Sequence, residues 1–329
     1  MSTETLSHLP LPVRRAAEML HEAGERAWLV GGATRDLLLG RPVKDFDFVI
    51  AGDALHWARR IADALGGAFV PLDEERNVGR VVITHDGQPL WIDVARFRAP
   101  EGEGDAGTLE ADLRLRDFSV NAIAIDPLTG VTVDPTGGIA DLREGILRLS
   151  GPRAFEDDPL RLLRAVRLHA SHDLAISQGT WQAMQGAAPA LRGVAAERVR
   201  EEWLKLLAPR GALARVELLD QIGVLELLLP ELVRGKGVHQ SPPHSQDVFE
   251  HSLLVLDAME RLLPWEEGRG EAGRSEDSGI RQGPYAGYAE QMAAHLRRAV
   301  GHELPRWLLL KHVALLHDVG KPVTRSVGE

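Results

Sequence analysis

Residues 28–50, WLVGGATRDLLLGRPVKDFDFVI, are the stretch around which the rest of the chain is read. The apolar run WLV reads as a short buried strand. Gly31 and Gly32 follow it, and glycine permits tight backbone geometry and close approach of a ligand. ATRDLLLG carries apolar residues at helical spacing and stops at Gly40, with Pro42 just beyond. DFDFVI then reads as a second strand, and it carries Asp45 and Asp47.

Side chains two apart on a strand point to the same face. Two carboxylates on one face repel each other unless a cation sits between them. Their hard oxygens suit magnesium, which takes one or two protein carboxylates together with substrate phosphates. An isolated Asp-x-Asp is more often a solvated strand edge. The glycine turn and the helix start tip the reading toward a site, because they supply backbone N–H groups and a helix N-terminus for phosphate.

Composition sets the outer limits. A chain of 329 residues predicts two or three domains. No run approaches the roughly 18 apolar residues of a membrane span, so no membrane partner is expected. The start, MSTETLSHLPLPVRR, lacks the pattern of a secretory signal. There are no cysteines, which removes disulfides, thiolate metal sites and cysteine nucleophiles; a cytoplasmic location fits. The net charge of −10 argues against a surface coated in basic residues for nucleic acid. RNA binding would need a local basic region, and the stretch from Arg143 to Arg215 is rich in arginine.

GGATRDLLLGRPVKDFDF resembles the signature of the class II tRNA nucleotidyltransferases and their relatives the bacterial poly(A) polymerases, members of the polymerase-beta-like nucleotidyltransferase superfamily. The resemblance implies an α/β (α+β) head at 1–148. A helical neck at 149–215 and an HD-type helical body at 216–329 would follow. It also implies nucleotidyl transfer to an RNA 3′-hydroxyl, with Asp45 and Asp47 holding magnesium (Mg2+) and Gly31, Gly32 and Arg35 at the phosphates.

The chain in order fits this outline. Residues 12–24 and 52–67 read as helices, the second with Asp53 as N-cap and Gly66-Gly67 as its stop. AFVPL, GRVVITH and LWIDVARF read as strands. Asp93 lies in the last of these, where a carboxylate is costly unless paired or metal-bound. It matches the family's third carboxylate, which completes a two-metal site. Residues 99–109 read as a Gly- and acid-rich loop. In EADLRLRDFSVNAIAID, Arg116, Asp117 and Asn121 resemble the family's second motif, with Leu115 where the family has an arginine; they are expected at the nucleotide. Asp134, Gly137 and Gly138 resemble a third motif and are expected to be structural.

GPRAFEDDPLRLLRAVRLHA (151–170) resembles the fourth motif, with Asp157 where the family has glutamate. The Asp158-Pro159 pair looks like a helix start. Arg161, Arg164 and Arg167 are three apart and share a helix face, a seat for triphosphate or RNA backbone. In the family the second acid and the arginine read the incoming base. Asp158 and Arg161 would pair with cytosine, which offers an N4 donor and acceptors at N3 and O2. Residues 197–232 read as helices broken at Pro209–Gly211 and Gly223, with Glu197, Arg198 and Arg200 mainly structural. Residues 266–291 read as a polar insertion. His251 with His317 and Asp318 resembles the metal signature of HD-domain phosphohydrolases. That signature needs a further downstream aspartate, and Glu329 comes soon after Asp318, so the body is expected to be incomplete.

The expected partners are the tRNA 3′ end and acceptor arm, with CTP and also ATP as nucleotides. The interval from Asp93 to Arg116 is shorter than in enzymes that build the whole CCA end, where it holds a loop that switches the pocket from cytosine to adenine. The expectation is therefore addition of CC alone, with the terminal A left to a separate A-adding enzyme. The alternatives are full CCA or A addition, a poly(A) polymerase, and an HD phosphohydrolase with an RNA-binding head.

Overall fold

The computed structural model describes residues 9–98, 107–241, 245–262, 283–301 and 304–324. Residues 99–106 of the acidic loop and 266–282 of the polar insertion lie outside these. The chain divides into two compact units, Met1–Asp158 with Asp173–Trp181, and Pro159–His172 with Gln182–Glu329.

The first unit is built on a seven-stranded sheet. In chain order it holds α1 (Leu11–Glu22), β1 (Trp28–Val30), α2 (Gly31–Leu38), β2 (Asp45–Ile50), α3 (Ala54–Leu65), β3 (Ala68–Asp73), β4 (Val78–His85), β5 (Gln88–Arg96) and α4 (Leu109–Arg114). Then come β6 (Ala124–Ile125), β7 (Thr132–Val133), α5 (Gly138–Glu144), β8 (Ile146–Leu147) and α6 (Ala154–Asp157). The strand order is β3-β4-β5-β2-β1-β6-β7. Among the described residues of this sheet only β2 and β5 pair in parallel, because α3 and the β3–β4 hairpin return the chain between them.

The period-two pattern of β2 sorts its side chains. Phe46, Phe48 and Ile50 are buried with Ile92 and Val94 of β5 against Leu20 of α1 and Trp57, Ala58 and Ile61 of α3. Val49 faces the other way, into a smaller cluster with Trp28, Val30, Leu109 and Leu113. Asp45 and Asp47 share that second face. The ends of α3 are those the sequence predicts: the Asp53 side chain accepts the His56 N–H, and Gly66 closes the helix in the left-handed conformation.

The second unit is helical. It begins with α7 (Arg161–His172); the chain then returns to the first unit through β9 (Ala175–Ile176) and the start of α8 (Gln178–Ala187). β9 pairs in parallel with β8, which is why 173–181 joins the head and the expected neck at 149–215 does not stand as one piece. The rest is α9 (Ala196–Leu207), α10 (Ala212–Gln221), the single turns α11 (Leu225–Leu228) and α12 (Pro230–Val233), α13 (Val248–Leu262), α14 (Ala289–Arg297), α15 (Arg306–Leu316) and α16 (Lys321–Thr324). Breaks fall at Pro209–Gly211 and at Gly223, as the sequence predicts.

The corner between α9 and α10 is held by a buried ion pair. Lys311 is fully buried, and its Nζ donates to the carbonyls of Leu207, Ala208 and Pro209 at 2.7, 2.9 and 3.0 Å. It also lies 2.7 Å from Glu260, which accepts the Gly211 N–H at 2.7 Å. The carbonyls ending one helix and the amides starting the next are thus satisfied by opposite charges. Among the described residues no helix is long and apolar enough to cross a membrane.

Candidate active site

The site follows from strand register. Asp47 of β2 stands directly beside Asp93 of β5, and Asp93 stands directly beside Arg80 of β4. Asp45 lies two residues from Asp47 on the same face. The guanidinium of Arg80 forks onto Asp93, Nε to Oδ1 at 2.7 Å and Nη2 to Oδ2 at 2.8 Å. Burial, and then the neighbouring Asp93 carboxylate, push the Asp47 carboxyl up to about 6. Burial also raises Asp45, with Arg80 opposing and Asp93 adding to the rise. Burial, with the neighbouring acids adding to it, thus makes ionising this face costly without a counter-charge, as at a cation site.

Gly31 makes this face possible. Its φ is +70°, and a Cβ there would lie 3.1 Å from Asp47 Oδ2 and 3.4 Å from Arg116 Nη1. The turn out of β1 thus passes between an acidic and a basic side chain with no room for a third. α2 starts at Gly31, and its N-cap residue Val30 supplies no side-chain cap.

Arg35 and Asn121 take parts other than the expected ones. Arg35 is 7% exposed. Its Nη1 donates to Asn121 Oδ1 at 2.8 Å, while Nε and Nη2 donate to Asp36 at 3.0 Å each. Asn121 in turn donates to Asp117 at 3.0 Å, and Asp117 accepts the Phe118 N–H at 2.8 Å. Buried this way, Arg35 braces α2 against the turn at 119–121 instead of lying open to phosphate. Arg116 forks onto Asp112, with Nε at 3.0 Å and Nη2 at 2.8 Å from one oxygen. Asp112 is fully buried and also accepts the Arg98 N–H at 3.2 Å. The sequence reading missed Asp112; its signal was the i,i+4 spacing from Arg116 on a helix start. Arg80 was missed as well, and its signal, a lone arginine in a strand, appears only once β4 and β5 are paired.

Asp134 is structural as predicted. Its carboxylate accepts the N–H groups of Gly138 and Ile139 at 2.8 and 2.9 Å and so caps α5. A Cβ at Gly138 would fall 1.9 Å from the Ser119 carbonyl oxygen.

The regular turns of α7 begin at Arg161 rather than directly after Asp158, which closes α6 in an extended conformation. Pro159 and Leu160 form the turn between, and the Pro159 carbonyl accepts the Leu162 N–H at 3.0 Å. Two arginines of the row share one acid within the helical unit. Arg161 is 7% exposed, and Arg164 and Arg167 converge on the buried Glu202 of α9, Nε to oxygen at 3.8 and 3.2 Å. That carboxylate neutralises charge the sequence alone left available.

His251, His317 and Asp318 do come together, each offering a ligand atom within 4.8 Å of the others. His317 Nε2 lies 3.2 Å and His251 Nε2 3.6 Å from Asp318 Oδ2. Lys321 lies 2.6 Å from the same oxygen and donates to Gln240 at 2.6 Å. Burial works to raise the Asp318 carboxyl, but Lys321 and the histidines hold it below the usual carboxylate range.

Residues 27–148 match the family described as "Poly A polymerase head domain", and residues 173–235 match "Probable RNA and SrmB- binding site of polymerase A". A CC-adding tRNA nucleotidyltransferase of Geobacter sulfurreducens is 40% identical over 198 residues, 60% of this chain and 44% of that protein. An A-adding tRNA nucleotidyltransferase of Deinococcus radiodurans is 35% identical over 306 residues, 91% of this chain and 57% of that protein. The chain thus spans about half the length of these curated relatives. The solved structure of a CCA-adding enzyme with ATP aligns with a TM-score of 0.65 at 25% identity, covering 99% of this chain and 79% of that one. The α/β sheet with its acidic face and these matches agree: residues 27–148 form a poly A polymerase head domain, and the chain is similar to tRNA nucleotidyltransferases.

Proposed function

We propose that this chain is a tRNA nucleotidyltransferase that adds cytidylate from CTP to the tRNA 3′ end. The observation that carries the reading is the acidic face of the sheet, where Asp45, Asp47 and Asp93 crowd together and the Asp47 carboxyl rises to about 6. Such a face repels substrate phosphates unless a cation covers it. Asp45 and Asp47 would hold magnesium, whose geometry suits carboxylate oxygens completed by phosphate oxygens. When bound, the metal stabilises the charge that develops on the transferring phosphoryl group and on the leaving group.

The 3′-oxygen of the tRNA forms a bond to the α-phosphorus of CTP. The bond from that phosphorus to its bridging oxygen breaks, pyrophosphate leaves with the electron pair, and the hydroxyl proton passes to water. The chain's own part is to place the reactants. The Gly31 turn brings backbone against Asp47, and the Arg35–Asn121–Asp117 brace fixes the helix behind it. By their place in the family's fourth motif, Asp158 and Arg161 read the cytosine edge.

The finer reading is that addition stops after two cytidines and a separate enzyme adds A. The short interval from Asp93 to Arg116 supports it, although 99–106 lies outside the described residues. So does the resemblance to a CC-adding relative at 40% identity. One observation favours A addition instead: an A-adding relative aligns along 91% of the chain, as multifunctional CCA proteins do along 92%. His251, His317 and Asp318 would hold a second metal ion, for which two imidazoles and a carboxylate suit a transition metal. The test of base choice is a product ladder on tRNAs ending before CCA and after CC, each with CTP alone, ATP alone, and both. Two additions from CTP on the first tRNA and none from ATP on the second are expected. Efficient A addition to the CC end would overturn the CC reading.

A further inference from the structure

Arg80, Asp93 and Asp47 stand in one row across β4, β5 and β2, set there by register. The family resemblance makes Asp93 a metal ligand, yet here each of its oxygens accepts one N–H of the Arg80 fork, at 2.7 and 2.8 Å. A bidentate arginine–carboxylate pair is among the stronger polar contacts, and it orients the guanidinium as well as neutralising the acid. Among the described residues neither Asp45 nor Asp47 makes such an ion pair. The fork uses two of the five N–H donors of a guanidinium. The Arg80 side chain is 35% exposed against 19% for Asp93, and register puts it on the same face of the sheet as the acids.

We infer that Arg80 binds the terminal phosphates of the nucleoside triphosphate and that Asp93 is the positioning residue that aims it, not a metal ligand. This rests on the nucleotidyl-transfer reading above. The chemistry fits the place. A guanidinium presents its donors in a plane that matches phosphate oxygens. The departing pyrophosphate carries growing negative charge, and fixed cations beside it need no reorganisation as that charge appears. A purely structural pair would serve a different end, tying β4 to β5 and cancelling one charge. That role would lower stability on mutation but would treat a nucleoside triphosphate and a monophosphate alike.

The experiment is equilibrium binding of CTP and of CMP to the full chain with Mg2+ and no tRNA, so that no transfer occurs. Wild type is compared with Arg80→Ala, Arg80→Gln and Asp93→Asn, and Mn2+ binding to each is followed by electron paramagnetic resonance. The expected result is a rise of roughly 10- to 100-fold in the CTP dissociation constant for both Arg80 variants. CMP binding stays within about twofold, as a contact to the terminal phosphates alone requires. Asp93→Asn weakens CTP in the same direction and keeps Mn2+ binding, which Asp47→Asn loses. If Arg80→Ala does not fold, Arg80→Gln carries the comparison. Equal effects on CTP and CMP, unchanged CTP binding, or loss of Mn2+ in Asp93→Asn as in Asp47→Asn would each overturn the inference. Wild type that prefers CTP over CMP through Arg80 but transfers nothing to tRNA would instead sink the proposed function alone.

Discussion

Replacing Asp47 with asparagine should make the metal-free protein more stable above pH 6. The side chain is half-buried beside Asp93, and its carboxyl is raised from 3.8 to about 6. The sign follows from linkage. A carboxyl whose folded value lies above its unfolded value keeps its proton in the folded state over that window, so stability falls as pH rises from about 4 to about 6 and is flat beyond. A rise of roughly two units, at about 1.4 kcal/mol each, sets a ceiling of about 3 kcal/mol. Part of the side chain remains in water, so a gain of about 1–3 kcal/mol is expected from an isostere that carries no charge. Urea unfolding with chelator present, at pH 8 and at pH 4, reads it directly. The variant should be more stable than wild type at pH 8, with the gap closing at pH 4, where wild-type Asp47 is itself protonated. A variant no more stable at pH 8, or a gap that ignores pH, would refute the raised carboxyl, set by burial and then by Asp93, on which the site assignment rests.

Other outcomes follow from the geometry. Lys311→Met should cost about 3–5 kcal/mol in urea unfolding, because it leaves Glu260 buried and unpaired; Lys311→Met with Glu260→Leu should cost less than the two single changes summed. Gly138→Ala should lower the melting temperature by several degrees, since a Cβ there would fall 1.9 Å from the Ser119 carbonyl oxygen and the backbone must move. Asp158→Ala and Arg161→Ala should relax base choice more than triphosphate affinity, each losing about 1–3 kcal/mol of discrimination, read as incorporation of all four nucleotides. Unchanged selectivity in both would move the pair from base reading to structure.

Local pattern carried much of the head. The alternation in DFDFVI sends Phe46 and Phe48 to one side and Asp45 and Asp47 to the other, and the structure keeps that split. Helix ends at Asp53 and Gly66 were equally legible, because capping depends on residues within one turn. What the sequence hid was long-range pairing. Nothing near Arg80 in the chain says that β4 will lie against β5 and bring it onto Asp93. Glu202 lies 35 residues beyond Arg167, so the arginine row read as open until α9 brought that acid to it. Arg35 shows the same limit: a basic residue one turn into a helix beside a glycine turn looks like a phosphate ligand until Asn121 arrives from 86 residues away. The division into units was hidden for a like reason, because the β8–β9 pair that draws 173–181 back to the head is only two residues long.

The central claim is that the acidic face of the sheet transfers nucleotide to a tRNA 3′ end. The most direct measurement gives the full chain tRNA lacking CCA, with CTP labelled at either the α- or the γ-phosphorus, in wild type and in Asp45→Asn and Asp47→Asn. In wild type the α-label is expected to enter the tRNA and the γ-label to leave as pyrophosphate, and both variants are expected to do neither while remaining folded. Label entering tRNA at near wild-type rate in either variant, or pyrophosphate released with no label joined to tRNA, would contradict that claim.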